Sequence, residues 1–392
     1  VVPGGAHAAE GVWTFALHRA AQSGRVAVQL GIIGLARSGK TTIFNAVTRG
    51  SAQVGTYSAG TQPNIGVVHV PDERVDRLAE LYKPKKTTYA TIQYVDFPAA
   101  GESFGKGEGP AGKFINDLTR TDALIHVVRA FADDSVPHPE GSVDPARDIA
   151  TMDLELAFAD LAIIERRLGR IETELRSMKA GERDATQRLK ELLERMKAAL
   201  EAETPIRAQS LTSEDWKLLE GSQFLTSKPL LIVINIGEAE LGRRGSLEEE
   251  QRAQHSGPGR DVAVFSGKFE MELNELSEED AGEFRASAGV SESGMAEAIR
   301  LSYALLGLIS FLTAGPDECR AWTVEGGATA PVAAGKIHSD LQRGFIRAEV
   351  TGYADLVAAG SEAEAKKRGL VRTEGKEYIV QDGDVLNILF NV

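Results

Sequence analysis

Eight residues near the start of the chain have the types and the spacing of a phosphate-binding loop. GLARSGKT fits the pattern G-x-x-x-x-G-K-[ST] in full, between a strand-like apolar run and a helical pattern. Glycines let backbone N–H groups wrap around phosphate oxygens at a helix N-terminus, where the helix dipole also favours anions. We expect Lys40 to neutralise the β- and γ-phosphates of a nucleoside triphosphate and Thr41 to ligate Mg²⁺. The residues expected to line the phosphates are Gly34, Ala36, Arg37, Ser38, Gly39, Lys40, Thr41 and Thr42.

A carboxylate at the end of a later apolar run is the expected metal partner of this loop. Asp96 lies near the end of the run Thr91–Phe97, where phosphate-loop proteins hold Mg²⁺, usually through water. The alternative is that Asp96 only opens a turn before Pro98. The glycine-rich stretch that follows, AAGESFGKGEGPAGK, is typical of a mobile, switch-like loop.

An asparagine at the end of another apolar run is a candidate reader of the nucleotide base, because its amide can both donate and accept hydrogen bonds. Guanine-specific phosphate-loop proteins carry N-K-x-D here, and the Asp accepts two guanine N–H groups. In this chain Ile236 replaces the Lys and Glu238 replaces the Asp. This weakens guanine selectivity, so ATP and GTP both remain candidates. The residues expected around the base are Asn235, Ile236, Glu238, Ser266, Gly267 and Lys268.

The elements that must position these residues are readable from hydrophobic periodicity. Near-continuous apolar runs such as Val26–Leu35, Ala123–Phe131 and Pro229–Asn235 alternate with helical patterns. Such alternation predicts a parallel sheet covered by helices on both faces. Residues 150–203 have apolar residues three and four apart around the break GERD, which predicts an antiparallel helical hairpin. The polar, glycine-containing stretch 242–259 is typical of a mobile loop.

Composition excludes several classes of protein. The 392 residues include 44 basic and 57 acidic side chains, a net charge of −13, which argues against a general nucleic-acid-backbone binder. The short basic runs Lys83–Lys86 and Lys366–Arg368 are more typical of solvated surface. A single cysteine, Cys319, fits a reducing compartment. No window is long and apolar enough to predict a transmembrane helix, so no membrane partner is expected.

Several stretches together resemble the Obg-like ATPase, or YchF-type, branch of the translation-factor-related P-loop GTPases. The likeness runs collinearly from about Val28 to Val392. It is carried by GxxxxGKTTIFNAVT, QPNIGVVHVPDERVDRLAEL, GKGEGPAGKF, the NxxE pattern Asn235–Glu238, SGK at Ser266–Lys268, LLGLISFLTAG, RAWTVEGGATAPVAAGKIHSDLQRGFIRAEV and DGDVLNILFNV.

The resemblance implies an α/β fold with a Ras-like P-loop G domain, an inserted α-helical hairpin arm and a C-terminal β-grasp (TGS, ubiquitin-like) domain. It also implies slow nucleotide hydrolysis, adenine preference through the NxxE element and association with ribosomes. We expect a cytoplasmic location and a monomer. The corresponding division is an N-terminal extension (1–25), the first part of the G domain (26–149), the arm (150–203), the second part of the G domain (204–312) and the TGS-like domain (313–392).

The chain departs from the family pattern at three places. Arg37 replaces the phosphate-loop Asn that helps bind a monovalent cation in related potassium-activated GTPases. One hypothesis is that Arg37 supplies this positive charge itself, so that activity is independent of K⁺; the alternative is a solvated Arg pointing away from phosphate. Ala99 stands where the D-x-x-G element has Gly, and Gly60 where the first switch has a Mg²⁺-binding Thr. Both changes weaken the expectation of efficient switching.

Two functions therefore remain. The first is a slow ATPase or GTPase whose nucleotide state controls docking on the ribosome or ribosomal RNA, with catalysis by positioning and electrostatics from Lys40, Thr41 and Arg37. The second is a nucleotide-binding module with negligible hydrolysis that recruits a protein partner through its C-terminal domain. The altered switches favour the second, whereas the intact phosphate loop and Asp96 favour the first.

Overall fold

The chain folds into two units, seen in a computed structural model that describes residues 28–49, 63–97, 110–179 and 183–391. The first unit comprises Val1–Val68 and Gln93–Leu306, and the second comprises His69–Ile92 and Gly307–Val392. Within the described ranges, no helix has the length and apolar character needed to cross a bilayer.

The first unit is built on a six-stranded sheet with the strand order β2-β4-β1-β5-β6-β7. Strands β1, β5, β6 and β7 pair in parallel. Every residue of β5 and β6 is buried, which explains why these strands read as continuous apolar runs. The strands are β1 (Val28–Ile33), β2 (Asn64–His69), β4 (Thr91–Asp96), β5 (Ala123–Arg129), β6 (Leu230–Asn235) and β7 (Arg260–Phe265).

Helices follow the strands of this sheet, as the alternating pattern predicts. They are α1 (Lys40–Arg49), α3 (Pro110–Leu118), α4 (Pro145–Ser177), α5 (Asp184–Glu201), α6 (Ser213–Leu218), α7 (Arg244–His255), α8 (Gly267–Leu273), α9 (Glu278–Ser287) and α10 (Gly294–Leu305), with 3₁₀ turns at Ile206–Ala208 and Glu238–Arg243. Because β1, β5, β6 and β7 are parallel, their carboxyl ends share one edge, where α/β sheets bind ligands.

The predicted helical arm is formed by α4 and α5. Helix α4 begins at Pro145, five residues earlier than the sequence boundary, and is capped by Asp144, whose side chain accepts a hydrogen bond from the N–H of Arg147. Its first half packs in the core of the sheet, through residues such as Met152, and its second half packs in a separate arm core. The cross-helix pairs Lys190–Glu172 and Lys197–Glu165 have the spacing of an antiparallel hairpin.

The prediction of a loop over 242–259 is wrong, since α7 occupies Arg244–His255. No residue of α7 is buried, so it lacks the apolar stripe by which a helix is normally recognised. Arg244 holds its first turn by donating to the carbonyl of Val264 at 2.6 Å and pairing with Glu297.

The second unit contains a mixed sheet with the strand order β11-β10-β12-β8-β9-β3. Strand β12 lies beside β8 in parallel, while β8–β9 and β10–β12 are antiparallel, as expected for a β-grasp fold. Three fully buried alanines of α11 pack in its core with Phe311. The elements are β3 (Lys86–Thr88), β8 (Leu308–Ala314), β9 (Glu318–Glu325), β10 (Phe345–Gly352), β11 (Arg372–Glu374), β12 (Asp384–Phe390), α2 (Glu73–Tyr82), α11 (Ala330–Ile337), α12 (Ser339–Arg343), α13 (Tyr353–Ala359) and α14 (Glu362–Lys367).

The structure differs from the sequence-based division in the placement of residues 69–92. The sequence pattern predicts that they belong to the first part of the G domain, but they belong to the second unit. Strand β3 adds an edge to its sheet by pairing with β9, and α2 packs against β8 and β9. The C-terminal unit is therefore discontinuous in sequence.

Candidate nucleotide site

The phosphate loop has a backbone that only glycine can adopt at two positions. Gly34 and Gly39 have φ values of 148° and 93°. A Cβ on Gly34 would lie 2.4 Å from the carbonyl oxygen of Val127, and one on Gly39 would lie 2.3 Å from Nδ2 of Asn235. The two glycines therefore allow the loop to pack against β5 and the end of β6.

Lys40 folds back over this loop. Its ammonium group donates to the carbonyl oxygens of Gly34 at 2.8 Å and Leu35 at 2.7 Å. Burial lowers the pKa of Lys40 to about 8, and the negative charge of Asp96 opposes this shift. A buried ammonium group with so little counter-charge favours an anionic ligand.

The two predicted metal ligands lie together. The Thr41 hydroxyl donates to Oδ2 of Asp96 at 3.3 Å, at the carboxyl end of β4. Burial raises the pKa of Asp96, and its Oδ1 is buried with no hydrogen-bond partner in the described part of the chain. A carboxylate oxygen and a hydroxyl are suitable ligands for Mg²⁺, which takes its other ligands from phosphates and water. The residues thus fit the expected ion.

The remaining residues of the loop differ in what they offer. The Ser38 hydroxyl is buried and has no hydrogen-bond partner among the described residues, so it is available to a phosphate oxygen. Ala36 is exposed, and Thr42 is half-buried. The guanidinium of Arg37 donates through Nη1 to the carbonyl oxygen of Pro137 at 2.8 Å.

Asn235 connects two loops. Its Nδ2 donates to the carbonyl oxygen of Ser38 at 3.1 Å, and its Oδ1 accepts from the N–H of Gly267 at 3.0 Å. The side chain is buried, and both ends of its amide are used within the protein. In this geometry Asn235 holds the phosphate loop beside the start of α8, a bracing role that the strand-end position alone did not reveal.

The predicted base-recognition residues lie next to one another. Lys268 Nζ contacts Glu238 Oε1 at 2.7 Å, and both side chains are exposed. The Ser266 side chain accepts from the N–H of Phe269 and caps α8. Ile236 is different, because its side chain lies in the core of the sheet and offers nothing to a base.

Sequence reasoning missed Phe131, which lies between the phosphate loop and the base-recognition residues. A Cβ on Gly39 would be 3.9 Å from Cε1 of Phe131, and one on Gly237 would be 3.7 Å from its Cβ. The Arg129 guanidinium lies 4.5 Å from the centre of its ring. An aromatic residue just after a buried strand, at the ligand-binding edge of a parallel sheet, was the available signal.

The switch departures at Gly60 and Ala99 lie outside the described residues, as do most of the glycine-rich stretch and the N-terminal extension. Within the described ranges, no group of three or more His, Cys, Asp or Glu side chains could hold a metal ion. The Thr41–Asp96 pair differs from such a group because it contributes a single carboxylate.

Comparisons with known proteins identify the family. The model described as "50S ribosome-binding GTPase" matches residues 29–166, and the YchF-GTPase_C model, "Protein of unknown function (DUF933)", matches residues 308–391. The ribosome-binding ATPase YchF of Bacillus subtilis is 43% identical over 370 residues, 94% of this chain and 100% of that protein. Obg-like ATPase 1 of Caenorhabditis elegans is 35% identical over 93% of this chain and 92% of its own length. This chain belongs to the YchF family.

The solved structure of the Schizosaccharomyces pombe YchF GTPase agrees with this assignment. It matches with a TM-score of 0.80 at 29% identity, covering 92% of this chain and 97% of that one. The resemblance to the YchF family and the predicted fold class are therefore confirmed. The roles of individual residues stay predictions.

Proposed function

We propose that this protein is a slow, Mg²⁺-dependent nucleoside triphosphatase that prefers ATP and acts in the cytoplasm in association with the ribosome. The observation that carries the proposal is the convergence of Lys40, Thr41 and Asp96 on one phosphate loop in a chain of the YchF family. The names of the relatives, a ribosome-binding ATPase and an Obg-like ATPase, support the ribosome as the partner and ATP as the substrate.

The mechanism relies on positioning. Backbone N–H groups of the loop and the Ser38 hydroxyl bind phosphate oxygens, and Lys40 exchanges its two carbonyl partners for the β- and γ-phosphates. Thr41 and Asp96 would hold Mg²⁺, which neutralises charge that develops on the phosphates during transfer. These residues orient the triphosphate without a side-chain base, which is consistent with a slow reaction.

The base would lie against Phe131 and within reach of Glu238. A carboxylate accepts N–H groups from either purine, but Glu238 is one methylene longer than the Asp of guanine-specific proteins and is paired with Lys268. Both changes alter the geometry that guanine needs for its two N–H bonds. We therefore propose that ATP binds more tightly than GTP.

A binding module with negligible hydrolysis is the second candidate. It is favoured by the sequence after Asp96, Phe97-Pro98-Ala99, which has neither the usual glycine of the γ-phosphate sensor nor a water-orienting glutamine. Such a protein would bind the same nucleotides and recruit a partner through its C-terminal unit.

Nucleotide titration followed by single-turnover hydrolysis tests the proposal. We expect tighter binding of Mg²⁺-ATP than of Mg²⁺-GTP, and hydrolysis that Lys40→Ala reduces to the uncatalysed rate. Lys217→Ala, an exposed lysine on α6, is the control and should leave both unchanged. Tighter GTP binding would overturn the assigned base preference, and a wild-type rate equal to that of Lys40→Ala would establish the binding module. Co-sedimentation with ribosomes, with ATP or ADP present, tests the partner.

A further inference from the structure

The segment Phe131–His138, which we call the post-β5 segment, is held from inside by one buried arginine. The side chain of Arg129 is 2% exposed, and its guanidinium donates to three backbone carbonyls of this segment. The acceptors are Phe131 at 3.1 Å, Val136 at 2.8 Å and Asp133 at 3.3 Å. A guanidinium that satisfies three carbonyls at once fixes the path of this loop, because leaving any of these donors unpaired in the interior is costly.

The far end of the post-β5 segment is anchored to the arm helix. Nε2 of His138 lies 2.9 Å from Oδ2 of Asp148 on α4, and both side chains are buried. Arg147 pairs with the other oxygen of the same carboxylate at 2.7 Å. The carbonyl of Pro137, one residue before His138, therefore lies at a fixed place.

Arg37 reaches this carbonyl from the phosphate loop. Its Nη1 donates to the carbonyl oxygen of Pro137 at 2.8 Å, across 100 residues of chain. Arg37 has a φ of 63°, a left-handed conformation that costs a side chain other than Gly or Asn about 1 kcal/mol. Gly or Asn would adopt this backbone at lower cost but would not supply the guanidinium that reaches Pro137.

We propose that Arg37 is a positioning residue that latches the post-β5 segment to the phosphate loop. The latch sets the distance between the loop and Phe131, which lines the base side of the site. Because the two parts are linked, a nucleotide that orders the phosphate loop also orders the post-β5 segment, and the reverse holds equally. This inference rests on the proposed nucleotide site. It differs from the hypothesis that Arg37 supplies a charge to the phosphates, because here the guanidinium acts on the protein's own backbone.

Three variants of the full chain test the latch. Arg37→Ala removes it, and Arg37→Lys keeps the charge but loses the planar guanidinium that reaches Pro137. Arg183→Ala is the matched control, because Arg183 is also exposed and donates to a carbonyl, that of Met178 at the tip of the arm. The measurements are hydrogen exchange of residues 131–138, the Kd for Mg²⁺-ATP, and kcat and KM separately.

We expect Arg37→Ala to speed exchange in residues 131–138 and to weaken ATP binding about three- to tenfold, the range for losing one typical hydrogen bond at an exposed position. KM should rise more than kcat falls, and Arg37→Lys should behave like Arg37→Ala. Unchanged exchange and affinity in Arg37→Ala, with the wild type binding ATP, would overturn the latch. Full recovery in Arg37→Lys would also overturn it and would support the charge hypothesis. A wild type that binds no nucleotide would instead refute the proposed function.

Discussion

Desolvation governs the residues that face the phosphate loop. Burial lowers the pKa of Lys40 to about 8, and burial raises the pKa of Asp96, so both groups are shifted toward their neutral forms. The charges of Lys40 and Asp96 attract each other, but this attraction does not cancel the effect of burial on either pKa. A phosphate group would supply the counter-charge that Lys40 lacks. Ligand binding and ionisation are therefore linked at this site.

The first prediction is that ATP affinity falls as the pH rises above about 8. The free protein loses the Lys40 proton near pH 8, whereas a bound triphosphate keeps the lysine charged, so binding at higher pH must take up a proton. Affinity should fall by up to about tenfold per pH unit between pH 8 and 10. Calorimetric titrations at pH 7.5 and 9, each in two buffers of different ionisation enthalpy, measure the proton uptake directly.

Adenosine provides the control for this titration, because it has no phosphates and its binding should not depend on Lys40. Proton uptake close to zero at both pH values would contradict the prediction. It would mean that Lys40 remains charged in the free protein up to its ordinary pKa.

At the scale of elements, the segment Leu225–Lys228 joins the arm to the sheet. Asp160 on α4 accepts from the N–H groups of Leu225 and Thr226 at 2.8 and 2.7 Å, and from the Thr226 hydroxyl at 2.7 Å. Lys228 Nζ is buried and donates to the carbonyls of Thr119 and Thr121, just after α3. The segment thus contacts both the arm helix and the residues just after α3, a helix that begins at Pro110 inside the glycine-rich stretch, so the prediction of a loop is wrong for the end of that stretch.

The second prediction concerns Thr226→Val, which keeps the shape of the side chain but removes its hydroxyl. That hydroxyl donates to Asp160 and accepts from the N–H of Ile206. Leaving both buried groups without this partner should lower the free energy of unfolding by about 1–3 kcal/mol. Urea unfolding followed by circular dichroism measures the change. Thr173→Val, an exposed threonine on the same helix as Asp160, should stay within about 0.5 kcal/mol of the wild type.

The pH dependence of this effect has a definite sign. Burial raises the pKa of Asp160 to about 6, so the folded state binds a proton more tightly than the unfolded chain. The carboxylate needs the Thr226 donor only while it is ionised. The destabilisation by Thr226→Val should therefore be larger at pH 8 than at pH 5. An effect that is equal at the two pH values would show that the hydroxyl does not act through the Asp160 charge.

The sequence predicted those features that are encoded locally. The phosphate loop needs only eight consecutive residues, and strands buried on both faces produce continuous apolar runs. Helix α7 was not predicted because none of its residues is buried, so the sequence has no apolar stripe there. The carbonyl of Val264, to which Arg244 donates, lies on another element. The bracing role of Asn235 depends on two loops that come together only in the folded sheet. Such interactions between distant segments leave no periodic signal in one sequence.

At the scale of the whole molecule, the second unit is completed by a segment from the middle of the first unit's sequence. Residues 69–92 contribute β3, whose register with β9 pairs Lys86 with Glu318, and α2, which packs against β8 and β9. Arg74 on α2 also donates to Asp382 at 2.7 Å, in the turn before β12. Composition alone does not predict that residues 69–92 belong to the C-terminal unit, because in sequence they lie between strands of the first sheet.

The third prediction is that Leu78→Ala destabilises the C-terminal unit, although Leu78 lies some 230 residues before it in sequence. Leu78 is 1% exposed on the buried face of α2. Truncating a fully buried leucine costs about 2–5 kcal/mol, because the hydrophobic contact is lost and a cavity remains. Hydrogen exchange should therefore speed up in β8, β9 and β12 and stay unchanged in β5 and β6.

The control is Leu193→Ala, which truncates an equally buried leucine in the arm core. This variant should speed up hydrogen exchange in α4 and α5 instead. If Leu78→Ala instead loosened β1 and β5 while leaving β9 protected, then residues 69–92 would stabilise the nucleotide-binding unit, and the C-terminal unit would not depend on them.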